Sequence, residues 1–71
     1  MNKMVFAIGW IAKINEFFRR CSDMDISNIR MADRRDGMSE FNFVTTEDGD
    51  KIVNIMRSSN MISICWCPLE R

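Results

Sequence analysis

The period of hydrophobic positions changes several times along this chain. From Trp10 onward it is helical. Trp10, Ile11, Ile14, Phe17, Phe18 and Cys21 recur at i, i+3, i+4 and i+7 spacing, and Lys13, Asn15, Glu16, Arg19 and Arg20 take the other side. This is an amphipathic helix with a wide apolar stripe. The stripe predicts that Trp10, Ile14, Phe17 and Phe18 belong to the core. The polar side carries three cations and one carboxylate, too small a cationic excess to favour a membrane-surface helix over core packing. Ahead of this helix, residues 3–8 read either as a short buried strand or as its first turns, with Gly9 as the natural break.

Beyond the helix the period falls to two. "CSDMD" breaks the helix with turn-forming residues, and "ISNIRMA" then alternates Ile29 and Met31 against Asn28 and Arg30. "DRRDG" carries the turn pair Asp36-Gly37 and leads into a second strand, "MSEFNFVTT", so the two strands form an antiparallel hairpin. In that second strand Phe41, Phe43 and Thr45 share one parity, and Asn42, Val44 and Thr46 share the other. Helical spacing returns with Ile52, Val53, Ile55 and Met56. Thr45 and Asp48 fit a variant capping box at its start, and the helix runs to about Arg57. Gly49 looks like a flaw there, costing about 1 kcal/mol against alanine. "MISICWC" alternates Ile62, Ile64 and Trp66 against Ser63, Cys65 and Cys67 before Pro68 ends the strand.

The expected order is (β)αββαβ over one small α+β domain, residues 1–71. Right-handed crossovers place both helices on one face of an antiparallel sheet, giving a two-layer sandwich of the ferredoxin-like kind. If residues 3–8 are helical, the sheet has three strands.

Charge and chemistry narrow the function classes. Ten basic and ten acidic residues cancel, which argues against binding nucleic acid mainly by long-range attraction. No histidine is present, so the commonest general base and metal ligand is missing. The carboxylates Asp33, Asp36, Glu47, Asp48 and Asp50 fall in turns and at a helix start, where solvation explains them, and no enzyme is expected. Cys65-Trp66-Cys67 lacks the spacing of a zinc knuckle or a redox C-x-x-C pair. Cys21, Cys65 and Cys67 therefore read as reduced, small hydrophobes in a cytoplasmic protein, with no metal and no cofactor. No stretch reaches the roughly 20 apolar residues that span a bilayer.

From about Ile14 to Met56 the chain resembles the RNA-recognition motif. "INEFF" is similar to the end of that family's first helix, "IRMADRRDG" to its second strand and basic loop, and "FNFVTTED" to the octamer of its third strand. "MVFAIGW" resembles the hexamer of its first strand. The resemblance implies that Phe6, Phe41 and Phe43 lie on the open sheet face as a stacking platform for bases, with Asn28 and Arg30 adding polar contacts. Lys3, Arg34 and Arg35 would meet phosphates. The chain departs from the motif at Ser39, where a basic residue is usual, at Glu40 and Asn42, where small residues are usual, and at Thr46, where an aromatic is usual.

Two binding functions follow as expectations. One is a protein-interaction module whose open face, with Phe6, Phe41, Phe43 and either Trp66 or Cys65, docks a protein partner or a second copy. The other is a single-stranded RNA-binding domain. Neutral charge and Ser39 favour the protein partner. Seven methionines would make such a surface adaptable, and their density suits a small phage or viral factor that binds a host protein.

Overall fold

In the computed structural model, which describes residues 1–69, residues 3–8 belong to a strand. The elements are β1 (Lys3–Gly9), α1 (Ile11–Arg20), β2 (Ile26–Asp33), β3 (Ser39–Thr45), α2 (Gly49–Ser58) and β4 (Ile62–Pro68). The strands form one four-stranded sheet in the order β2-β3-β1-β4, with every neighbouring pair antiparallel. Each helix therefore links two parallel strands that have a third strand between them. This is the ferredoxin-like βαββαβ arrangement, an α+β sandwich.

The core lies between one sheet face and the helices. Val5 and Ala7 of β1 and Phe41 and Phe43 of β3 meet Ile14 and Phe17 of α1 and Ile52 and Met56 of α2. Val5 pairs with Phe43 and Ala7 with Phe41, so the small β1 side chains leave room for the large β3 ones. The two β3 rings stack at 6.1 Å and 23°, and Phe17 and Phe18 pack against both.

This corrects the expected parity of β3. Phe41 is 1% exposed and Phe43 0% exposed, and both face the helices rather than away from them. Register by two explains why the alternative fails: a one-residue slip would exchange both rings for Glu40, Asn42 and Val44. Burying two phenylalanines is worth about 3–6 kcal/mol, and burying the polar pair in their place would cost more. The polar residues that disguised this parity lie at the strand ends and find partners there. Ser39 Oγ donates to Asp33 Oδ1 at 3.1 Å, and Thr45 Oγ1 accepts from the Glu47 N–H at 3.0 Å.

Other local expectations also shift. Asp48, not Thr45, caps α2, its carboxylate accepting from the Asp50 N–H at 3.1 Å. Trp10 is 51% exposed and sits outside the core at the start of α1, against the β2–β3 turn, where a Cβ on Gly37 would lie 3.3 Å from its ring. In that turn the Gly37 N–H reaches the Arg34 carbonyl at 3.4 Å and the Arg34 N–H donates to Met38 at 2.9 Å. Gly37 takes φ 86°, closing a three-residue hairpin loop in the left-handed conformation that glycine tolerates.

Both outer strands are irregular. In β2 the register shifts between Ser27 and Arg30, where Asn28 has φ 54°. In β4 it shifts opposite Phe6–Ile8, where Ser63 has φ 54°. Beyond that bulge the β1–β4 ladder is regular. The Leu69 N–H donates to the Asn2 carbonyl at 2.8 Å. Counting by twos from that bond, Met4–Cys67 and Phe6–Cys65 are hydrogen-bonded pairs, whereas Lys3–Pro68 is not. Pro68, which has no N–H, thus occupies a rung that requires none.

Candidate interaction surface

Among the described residues no helix or loop covers the face of the sheet opposite the helices. Cross-strand partners share a face, so the register assigns its residues. Met4, Phe6 and Ile8 run down β1, opposite Val44, Asn42 and Glu40 of β3. Arg30 and Ala32 of β2 follow outside Asn42 and Glu40. On the other side Cys67, Cys65 and Ile62 of β4 lie beside Met4, Phe6 and Ile8. The face divides into two halves. The β1–β4 half is apolar or sulfur-bearing, and the β3–β2 half carries Glu40, Asn42 and Arg30 around Val44. Ile8 is buried although it is no member of the helix-side core, which places its burial within this second apolar row.

The residues expected at a binding surface divide in the same way. Phe6 lies on the open face, half-buried in the centre of the sheet. Arg30 lies there too, and Asn28 borders the same shallow hollow with Met4, Asn42 and Val44. Arg35 is exposed at the hairpin tip. Phe41 and Phe43 are absent from this face because they form the core. Trp66 is also absent: it pairs with Val5 and covers the start of α2 on the helix side. Cys65 is the β4 residue that takes the place beside Phe6.

Two of the three proposed phosphate contacts are engaged elsewhere. Lys3 is 8% exposed and shares the Val5 parity; its Nζ lies 5.9 Å from the Trp66 ring centre and reaches the Met1 carbonyl at 3.3 Å. Arg34 is bound by Asp36 at 3.3 Å and Glu40 at 3.5 Å. Asp36 also accepts from the Met38 N–H at 3.0 Å. That backbone hydrogen bond, and then the Arg34 guanidinium, hold the Asp36 carboxyl below its ordinary pKa despite slight desolvation.

The cysteines are of two kinds. Cys21 is buried in the core, and burial pushes its thiol pKa up, so it is the small hydrophobe expected. Cys65 and Cys67 are exposed, which corrects that reading for both: on an outer strand, side chains facing an uncovered face have nothing to pack beneath. Among the described residues no three of His, Cys, Asp and Glu come together. No helix among them is long and apolar enough to cross a membrane.

Sequence reasoning missed the β1 row as a unit, because both parities of "KMVFAI" are largely apolar. The available signal was size: Val5 and Ala7 are small enough to lie beneath helices, whereas Met4, Phe6 and Ile8 are large. Compared with protein-family models and with curated proteins, the chain matches none.

Proposed function

We propose that this chain is a non-enzymatic interaction module that binds a protein partner, or a second copy of itself, through the open sheet face centred on Phe6. The observation that carries this reading is the open-face row of exposed Met4 and half-buried Phe6, ending on buried Ile8 and flanked by exposed Ile62, Cys65 and Cys67, over a core that closes without it. Apolar centres with polar margins are the anatomy of protein interfaces, and Glu40, Asn42 and Arg30 supply the margin. Four strands about 4.8 Å apart and seven residues long give a planar footprint of about 450 Å² a side. That is a small interface, suited to transient binding rather than to a permanent assembly.

The RNA-recognition-motif reading has less support. Stacking contributes about 1–3 kcal/mol per base, and Phe6 is the one aromatic ring that the register assigns to the open face. Lys3 lies on the helix side and Arg34 is neutralised, which leaves Arg30 and Arg35 for phosphates. One ring and two cations supply too little for single-stranded RNA.

The test is Phe6→Glu. Phe6 is half-buried and outside the helix-side core, so circular dichroism should stay that of the parent while the urea midpoint falls modestly. Concentration-dependent self-association in sedimentation, or capture of a purified partner, should be lost. An unchanged association in Phe6→Glu would sink the reading. So would salt-sensitive binding of a single-stranded oligonucleotide pool by the parent that the substitution abolishes.

A further inference from the structure

Three sulfur-bearing residues of the open face, Met4, Cys65 and Cys67, are neighbours in the β1–β4 ladder. Cys65 and Cys67 are two residues apart on β4, so their side chains emerge on the same face, about 6.8 Å apart along the strand. Met4 lies directly opposite Cys67 in a hydrogen-bonded pair, a spacing of about 5.5 Å between Cα atoms. Both thiols are free and exposed, and Met4 is exposed as well. Metal–sulfur bonds of about 2.3 Å allow two sulfurs on one ion to stand up to about 4.6 Å apart. Two thiols leaning toward each other reach that separation, and the flexible methionine thioether closes the third side.

We propose that Cys65, Cys67 and Met4 form a binding site for a soft monovalent d¹⁰ ion, Cu(I). Two thiolates and a thioether are soft donors, which select Cu(I) over harder ions. A structural zinc site would need four ligands; the chain has no histidine, and among the described residues no carboxylate joins this cluster. Binding displaces the two thiol protons to the buffer and leaves the thioether neutral, so the bound centre carries a net charge of −1. Lys3, the nearest cation along β1 to Met4, is on the opposite face and does not compete for the thiolates. Cys21 lies in the core and takes no part.

The experiment is an anaerobic competition titration of the full chain with Cu(I) against a chromogenic Cu(I) chelator. The parent should take up one copper per chain and show thiolate-to-copper absorption in the ultraviolet. Cys65→Ser and Cys67→Ser should each weaken binding about 100-fold and Met4→Leu about tenfold. Cys21→Ser should match the parent. All three sites are exposed, so circular dichroism should show each variant folded. The proposal is overturned if the chain fails to compete at one copper per chain, or if Cys65→Ser/Cys67→Ser binds as the parent does. It is equally overturned if Met4→Leu loses nothing, if Zn(II) binds as tightly as Cu(I), or if copper doubles the mass by bridging two chains.

Discussion

Gly49 offers a test in which helix propensity and packing predict opposite signs. On propensity alone, Gly49→Ala in α2 should stabilise the protein by up to about 1 kcal/mol. The structure predicts a loss. A Cβ at Gly49 would overlap the Trp66 indole at Cε2, Nε1 and Cζ2, which belong to a rigid ring rather than to the end of a flexible chain. Overpacking of this kind costs about 1–3 kcal/mol. Were the ring to swing out instead, it would give up both its cover of α2 and its contact with Lys3, the latter worth about 0.5–1 kcal/mol. Setting the propensity gain against the overpacking cost leaves a net loss of up to about 2 kcal/mol, with a mid-range value of about 1 kcal/mol and a fall of roughly 1 M in the urea midpoint of so small a domain. The decisive comparison is the same substitution in a Trp66→Val background, where the obstruction is gone and Gly49→Ala should raise the midpoint. A higher midpoint for Gly49→Ala in the parent, or an equal cost in both backgrounds, would refute the reasoning.

Phe41→Ala should cost about 3–5 kcal/mol, and Phe41→Ala with Phe43→Ala should leave no cooperative urea transition, because both rings are core. A folded double variant would place them back on the surface. The Asp36 turn should respond to acid: its folded pKa is depressed, so its contribution is complete above the ordinary aspartate pKa and is lost as pH falls through the folded value. Protection of the Met38 amide in hydrogen exchange should follow that titration and lose its pH step in Asp36→Asn. A step at or above the ordinary aspartate value would count against the turn geometry.

The order of elements was legible because each change of period coincides with turn chemistry: "CSDMD", "DRRDG" and "TTEDG" each mark a boundary, although the cap itself falls at Asp48 rather than at Thr45. The ambiguous residues 3–8 resolve as a strand because only a central β1 supplies pairs for both β3 and β4. The faces were less legible. The Phe41 parity ends in Ser39 and Thr45, whose hydroxyls are satisfied by partners that no local pattern reveals. The same parity also matched the aromatic positions of a stacking motif, so two cues agreed on the wrong side. Trp10 shares the helical stripe, yet it precedes the first turn of α1 and falls against the hairpin instead. Gly49 reads as a defect until Trp66, distant in sequence, is seen to occupy the space of its missing side chain.

The bulges of β2 and β4 govern how far any assembly of this molecule can grow. An outer strand with a regular, flat backbone can recruit another strand, and that one another, without end. Here each border is kinked at a residue with φ 54°, and β4 ends on Pro68, so neither border offers a continuous row of backbone groups. Lateral addition of sheet to sheet is thereby discouraged on both sides. Binding of the kind proposed would then fall to the open face instead, and complexes formed there would be finite in stoichiometry and self-limiting, rather than fibrous.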